Sequence, residues 1–214
     1  MKAPSPLVYL LFNIAKFILK SIMTKSTLLD VNDSLLLAID IQPSFVKKES
    51  KDGSNALLQR MCWVINLANW LNVPLVVTAE DIPNNGSVSD EVAELLPPGT
   101  KIYNKMIFGL AAQPDILEAV QAAGRNTAVL IGYETDVCIT HSALGLMDLG
   151  YKVAVVADAT GSPDDAHQIG LDRIRGAGGI IVSAKSLYYE WVRTVEKAME
   201  FEALGVDTPE GLIL

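Results

Sequence analysis

The chain has 214 residues, of which 50% are hydrophobic and 20% charged, and its formal net charge at pH 7 is -8. This length and apolar content fit a single domain with a large core. The negative charge argues against nucleic acid or an anionic membrane as a partner of that domain. The two cysteines lie far apart in different sequence contexts. The sequence therefore predicts no disulfide framework and fits a reducing, cytoplasmic location.

Residues 1–22 differ from the rest of the chain because they are apolar and basic and contain no acidic residue. Lys16 and Lys20 interrupt the apolar run, which argues against a transmembrane helix, and no convincing signal-peptide cleavage site follows. An interfacial helix, a partner-binding helix and an upstream extension that ends before Met23 stay open, and the extension is favoured. We predict three segments: an N-terminal extension at 1–33, a core domain at 34–200 and a C-terminal tail at 201–214.

From residue 34 onward, short apolar runs alternate with segments of helical periodicity. Strands are predicted at residues 35–40, 74–80, 101–105, 127–132, 152–158 and 179–184. Helices are predicted at residues 55–71, 88–95, 114–123, 136–149 and 163–175, with a last helix that ends near 199. Continuous apolar strands are typical of a parallel sheet that is covered on both faces. With right-handed crossovers, the pattern predicts a three-layer α/β/α domain around a six-stranded parallel sheet of order 3-2-1-4-5-6.

The segment AVLIGYETDVCITHSALGLMDLG, residues 128–150, predicts a buried strand, a tight turn and a helix with Cys138 at its entrance. Unpaired amides and the helix dipole at such a position favour the thiolate, which is the nucleophilic form of cysteine. Thr135 or Asp136 is expected to cap this helix. The alternative for Cys138 is a small buried apolar residue, and packing on an amphipathic helix is sufficient to explain Cys62.

Three polar residues are predicted to meet at one edge of the sheet. In a doubly wound sheet, sites form beyond the carboxyl ends of the strands, where the strand order reverses between the first and fourth strands. The first strand ends at Asp40, the third ends at Lys105, and Cys138 follows the fourth. Taken separately, Asp40 could cap a loop and Lys105 could be solvated. Their coincidence with Cys138 predicts an active site.

These segments resemble the isochorismatase-like cysteine hydrolases, the superfamily that includes nicotinamidase and N-carbamoylsarcosine amidohydrolase. The similarity extends over residues 34–192. It rests on LLLAIDIQPSF, KIYNKMIFG and GYETDVCITHSAL, with support from VAVVADATGS and SAKSLYYEW. It implies that the core domain is an isochorismatase-like hydrolase domain that cleaves a small molecule.

The resemblance also implies roles for individual residues. Cys138 would attack a carbonyl carbon to give a thioester-type intermediate, Asp40 would accept and return the proton, and Lys105 would hold both charges in place. A non-proline cis peptide precedes the nucleophile in that family and maps here to Tyr133–Glu134. The backbone amides of Glu134 and Cys138 would then form the oxyanion hole.

Departures from the family pattern narrow the expected activity. Nicotinamidases carry a metal site with an Asp-x-His pattern after the second strand, but TAEDIPNNGSVSDEV contains no histidine. His141 is predicted to be a packing or hydrogen-bonding residue, and His167 is predicted to be a surface residue of a helix. No metal and no cofactor are therefore predicted. The leading hypothesis is a metal-independent amidohydrolase that acts on a small amide, ureido or carbamoyl compound.

Aromatic residues are candidates for the walls of a substrate pocket, although plain core packing is the alternative. We predict substrate contacts for Phe108, Tyr133 and Tyr188. Two other functions stay open: hydrolysis of a vinyl ether on an isochorismate-like substrate, and a catalytically idle oligomeric binding or scaffold protein. A homo-oligomer is expected in each case.

Overall fold

The computed structural model describes residues 26–49 and 55–214. The apolar, basic segment at 1–22 and the predicted start at Met23 lie outside the described residues. Within the described part of the chain, no helix is long and apolar enough to cross a membrane.

The centre of the molecule is a six-stranded sheet in which all neighbouring strands are parallel. The strands are β1 (Ser34–Ile39), β2 (Leu75–Glu80), β3 (Ile102–Lys105), β4 (Thr127–Tyr133), β5 (Lys152–Gly161) and β6 (Ile180–Val182). Their order is β3-β2-β1-β4-β5-β6. The predicted fold class and strand order are confirmed. Only β5 runs clearly beyond its predicted end.

Helices cover both faces of this sheet and make it the middle layer of three. The helices of the described residues are α1 (Pro43–Glu49), α2 (Ala56–Trp70), α3 (Ile82–Asn85), α4 (Asp90–Ala93), α5 (Pro114–Ala122), α6 (Thr140–Asp148), α7 (Ala166–Gly176), α8 (Ala184–Val192) and α9 (Val195–Glu202). One core cluster contains side chains of α2, α8 and α9, and a second contains side chains of α5, α6 and α7.

The side chains of β1 explain why its sequence is continuously apolar. Leu36 and Ala38 belong to the core on one face of the sheet, whereas Leu35, Leu37 and Ile39 belong to the core on the other. Successive strand residues point to opposite faces, and both faces of this sheet are covered, so every position of β1 is buried.

Helices α1 and α3 were not predicted from the sequence, and two of the predicted helices differ in form. The predicted helix at 136–149 begins with one π-helical turn, Thr135–Ile139, and α6 starts only at Thr140. The predicted last helix is two helices, because Arg193 adopts a φ of 69° at the end of α8. A new helix then begins with Thr194, whose side chain accepts a hydrogen bond from the amide of Lys197.

Segments outside the predicted core domain also pack on it. Leu29 is fully buried, its amide donates to Glu190 Oε2 over 2.6 Å, and Arg193 donates to its carbonyl over 2.8 Å. Near the C-terminus, Phe201 packs edge-on against Trp63. Leu29 of the predicted extension and Phe201 of the predicted tail therefore contribute to the core, while the division of the chain into three segments stays a prediction.

Candidate active site

The site begins with Asp40, the residue that follows β1. Its backbone turns with a φ of 53°, and its side chain is completely enclosed. Thr78 on the neighbouring strand β2 donates a hydrogen bond to Asp40 Oδ1 over 2.8 Å, and the amide of Asp40 donates to the carbonyl of Thr78. The carboxylate is thus fixed at the carboxyl end of the sheet.

Lys105, the last residue of β3, reaches into the same place. Its side chain is also fully buried, and its Nζ lies 2.9 Å from Asp40 Oδ2. The same ammonium donates to Cys138 Sγ over 3.4 Å and to the carbonyl of Ile107 over 3.4 Å. The lysine therefore bridges a carboxylate on one side and the thiol on the other.

Cys138 comes to this point because the end of β4 lies against the end of β1. Gly132 has a φ of 119°, and a Cβ at this position would lie 1.9 Å from the carbonyl oxygen of Ile39. Only glycine allows this approach. The peptide bond between Tyr133 and Glu134 is cis, and the π-helical turn then carries Cys138 to within 4.8 Å of an Asp40 carboxylate oxygen.

The turn that carries Cys138 is held by side chains of other elements. Ser162 donates to Asp136 Oδ1 over 2.6 Å, and His167 Nδ1 lies 2.8 Å from Thr135 Oγ1. The expected capping by Thr135 or Asp136 is wrong, since neither side chain caps the turn. His167 is not a free surface residue either, because it is half-buried against this turn, and burial lowers its pKa.

Sequence reasoning missed Glu80, although it occupies the same edge of the sheet. Glu80 is the last residue of β2, and Cys138 donates a hydrogen bond to its Oε2 over 3.3 Å. The same oxygen lies 3.7 Å from Lys105 Nζ. The rule that identified Asp40 and Lys105, a polar residue at the carboxyl end of a strand, also applies to Glu80. That signal was present in the sequence.

The backbone of Glu80 is clamped by the buried side chain of Gln42. Gln42 Oε1 accepts a hydrogen bond from the amide of Glu80 over 2.7 Å, and its Nε2 donates to the carbonyl of Glu80 over 2.9 Å. The same Nε2 also donates to the carbonyl of Gly86. The side chain of Gln42 therefore fixes the end of β2.

Burial and charge keep the nucleophile protonated. Burial raises the pKa of the Cys138 thiol above its ordinary value of 9.0, and the carboxylates of Asp40 and Glu80 raise it further, whereas Lys105 opposes them. The sequence predicted easier loss of the proton at a helix entrance. In the structure, burial beside two carboxylates outweighs that effect, and Cys138 is a thiol at neutral pH.

The pKa values of Asp40 and Lys105 are also shifted from their ordinary values. Burial raises the pKa of Asp40 against the opposing charge of Lys105, which makes its carboxylate a better proton acceptor. Burial alone would lower the pKa of Lys105, but the neighbouring charge of Asp40 opposes burial, and the pKa is raised. Lys105 therefore stays an ammonium ion.

Three side chains of the site have ligand atoms that could bind a metal ion, but the ammonium group of Lys105 already lies among them. Ligand atoms of Asp40, Glu80 and Cys138 lie within 4.8 Å of one another. The ammonium of Lys105 is 2.9 Å from Asp40, 3.4 Å from Cys138 and 3.7 Å from Glu80. The positive charge that these three groups surround belongs to the lysine.

The three residues that were predicted to contact the substrate differ in their exposure to solvent. Phe108 is 54% exposed beside the site, and Lys105 Nζ lies 5.9 Å from the centroid of its ring. The side chain of Tyr133 is buried. Helix α8 places Tyr188 in a buried aromatic cluster with Trp63 and Phe201. Contact of Phe108, Tyr133 and Tyr188 with a substrate stays a prediction. Aromatic character alone did not reveal which face of α8 is buried.

The amino-acid sequence is similar to proteins of one family. The isochorismatase domain matches residues 34–186. The secreted isochorismatase effector Isc1 of Phytophthora sojae is 33% identical over 132 residues, 59% of this chain and 62% of that protein, so the match spans less than two thirds of the relative. The probable hydrolase YcaC of Escherichia coli is 25% identical over 174 residues, 78% of this chain and 84% of the relative.

Solved structures share the fold. The YcaC gene product of Escherichia coli, described as an octameric hydrolase of unknown specificity, superposes with a TM-score of 0.78 at 23% identity and covers 85% of this chain and 90% of its own. YcaC from Pseudomonas aeruginosa, with hexane-2,5-diol and covalent acrylamide, superposes with a TM-score of 0.76 at 22% identity. The match covers 85% of this chain and 98% of the Pseudomonas aeruginosa chain. With the isochorismatase domain matching most of its length, this chain belongs to the isochorismatase family of hydrolases.

Proposed function

We propose that this protein is a metal-independent cysteine hydrolase that cleaves the C–N bond of a small amide, ureido or carbamoyl compound. The observation that carries the proposal is the buried cluster in which Lys105 Nζ lies 2.9 Å from Asp40 and 3.4 Å from Cys138 Sγ. A nucleophile, a proton acceptor and a fixed positive charge are the groups that acyl transfer through a thioester needs.

In the proposed reaction, Cys138 Sγ attacks the carbonyl carbon while a neighbouring carboxylate accepts the thiol proton. The family resemblance assigns this role to Asp40, and the raised pKa of Asp40 supports it. Lys105 offsets the negative charge that develops as the thiol loses its proton. The C–N bond then breaks, the departing nitrogen takes the proton, and water hydrolyses the thioester.

The backbone amides of Glu134 and Cys138 are proposed to bind the carbonyl oxygen as it becomes negative. Glu134 follows the end of β4, and its carbonyl oxygen accepts hydrogen bonds from Val137 and Ile139 within the next turn. The Glu134 side chain pairs with Lys48 over 3.2 Å. In this proposal the backbone of Glu134 acts on the substrate, and each amide donor contributes about 3 kcal/mol to stabilisation of the transition state.

Assembly and location are further parts of the proposal. Met106, Ile107 and Phe108 expose apolar side chains next to the site, and large exposed apolar patches often mark contacts between proteins. This patch and the octamer of the Escherichia coli relative support a homo-oligomer. A cytoplasmic location stays a prediction, and one relative is named as secreted.

The proposal is tested by a screen of small amides, ureides and carbamoyl compounds for ammonia release in the presence of a chelator. Cys138→Ala should abolish turnover of any substrate found, and Cys138→Ser should be nearly inactive. Cys62→Ala is the matched control and should retain activity, because Cys62 is a partly buried residue of α2 that packs against the core. Equal loss in folded Cys62→Ala and Cys138→Ala variants would contradict the assignment. Activity retained in Cys138→Ser would favour vinyl-ether hydrolysis, which needs no thiol nucleophile.

A further inference from the structure

Two carboxylates, not one, lie beside the thiol, and their surroundings differ. Asp40 Oδ1 accepts a hydrogen bond from Thr78, and Oδ2 lies 2.9 Å from Lys105 Nζ but has no hydrogen-bond partner among the described residues, with the side chain fully enclosed. Glu80 keeps 23% of its side chain exposed, and its Oε2 accepts the hydrogen bond of the Cys138 thiol over 3.3 Å. Glu80 is therefore the carboxylate that contacts both the thiol and the solvent side of the site.

The position of Glu80 does not depend on a flexible loop. It ends strand β2, and the side chain of Gln42 holds its amide and carbonyl over 2.7 and 2.9 Å. Its oxygen also lies 3.7 Å from Lys105 Nζ. A group that transfers a proton must lie within hydrogen-bond reach of that proton, and Glu80 satisfies this condition for the thiol.

We propose that Glu80 is a catalytic acid–base residue that carries the proton between Cys138, the leaving nitrogen and water. This inference rests on the proposed function and revises one role within it. Asp40 then serves as the fixed counter-charge of Lys105, and the proton does not have to enter the enclosed site of Asp40.

Glu80 alone can carry the proton through every step of the proposed reaction. As the Sγ–C bond forms, the thiol proton passes to the Glu80 carboxylate. As the C–N bond breaks, the Glu80 carboxyl gives that proton to the departing nitrogen, which leaves as an amine. The carboxylate next takes a proton from water, whose oxygen attacks the thioester carbon. The C–S bond breaks, and Glu80 returns the proton to the Cys138 thiolate.

The protonation state of the nucleophile fits this role. Burial and the neighbouring carboxylates raise the pKa of Cys138, so the resting group is a thiol that must lose its proton during attack. A carboxylate already hydrogen-bonded to that thiol requires no rearrangement before the transfer.

The test uses Glu80→Gln, which keeps the shape of the side chain but cannot take up a proton. Cys62→Ser is the common background, so that Cys138 is the one remaining cysteine. Glu118→Gln, an exposed carboxylate on α5, is the matched control. The first measurement is the rate of Cys138 alkylation by iodoacetamide against pH. Without the Glu80 charge the thiol should ionise more easily, so the profile should shift to lower pH in Glu80→Gln and stay unchanged in Glu118→Gln.

The second measurement compares leaving groups. On an amide found by the ammonia screen, kcat of Glu80→Gln should fall about 10²–10⁴-fold, the usual size of general acid–base catalysis. On the p-nitrophenyl ester of the same acyl group, which departs without protonation, the fall should be at least tenfold smaller. Equal losses on both substrates would mean that Glu80 does not protonate the leaving nitrogen, and would overturn the inference.

An unshifted alkylation profile would also overturn the inference, and this result does not require a known substrate. Failure of the proposed function is distinguishable, because Cys138→Ala would then retain turnover. If Cys138→Ala is inactive while Glu80→Gln matches the parent on amides, the nucleophile stands and the role of Glu80 is rejected.

Discussion

At the scale of single residues, the site is organised around one buried positive charge. Lys105 lies between the Asp40 carboxylate and the Cys138 sulfur, and neither Lys105 nor Asp40 exposes any of its side chain. A buried charge without a partner is costly, whereas a well-formed pair offsets most of that cost. Lys105 is therefore both a structural residue and a part of the chemistry.

We expect Lys105→Met to lower the free energy of unfolding by about 3–5 kcal/mol, because it leaves the Asp40 charge buried and unpaired. The double variant Asp40→Asn/Lys105→Met should recover much of this loss, since it removes both charges, but should stay inactive. Urea unfolding of the two variants checks the prediction. A Lys105→Met protein as stable as the parent would contradict the pairing.

The sequence predicted three residues of the site, each of which lies at or just after the carboxyl end of a strand. Asp40, Lys105 and Cys138 were found because strand ends of a doubly wound sheet converge on one edge. Glu80, the last residue of β2, meets the same condition but was not predicted, although its position in the sequence carries the same signal. The protonation of Cys138 could not be predicted, since it depends on how closely Asp40 and Glu80 approach the sulfur.

At the scale of elements, the nucleophile is aimed by the turn between β4 and α6. Helix α7 packs directly on this turn at Gly170, where a Cβ would lie 2.8 Å from backbone atoms of Asp136. The sequence predicted one continuous helix here. The single π-helical turn is held by tertiary contacts with Ser162 and His167, which local periodicity does not reveal.

We expect Gly170→Ala to push α7 away from the turn, to lower the free energy of unfolding by about 1–3 kcal/mol through overpacking, and to reduce kcat. Gly176→Ala is the matched control in the same helix, because no atom lies within 4 Å of its added Cβ. This control should change stability by less than about 1 kcal/mol and leave kcat unchanged. Thermal unfolding and turnover of both variants test the difference. Similar behaviour of the two variants would contradict the close contact at Gly170.

At the scale of the whole molecule, the sheet was predictable because its strands are buried on both faces. Such strands read as short apolar runs, and helices of sufficient length between them impose parallel neighbours. The role of Leu29 could not be predicted in this way. A single apolar residue outside the periodic pattern becomes core only when Glu190 and Arg193 anchor its backbone.

The two cysteines also connect the site with the pH dependence of global stability. Burial raises the pKa of Cys62 to about 11, and the pKa of Cys138 is raised as well, from an ordinary value of 9.0. The folded state therefore holds both thiol protons more tightly than the unfolded chain does. This contribution is complete well below the ordinary pKa of 9.0 and is lost as the pH rises through and above that value, because the unfolded chain ionises first.

We expect the free energy of unfolding to fall between pH 8 and pH 10, with a contribution of about 1.4 kcal/mol from Cys138 by pH 10. The raised pKa of Lys105 acts in the same direction at higher pH. Urea unfolding of the parent, of Cys62→Ser and of Cys138→Ser should show a smaller fall in each variant, and the smallest fall in the double variant. Because other groups also titrate in this range, the prediction is tested by comparing the fall in the free energy of unfolding between the parent and the variants. A double variant that loses as much stability as the parent would mean that Cys138 ionises in the folded protein as readily as in the unfolded chain, and the two carboxylates would then not hold its proton.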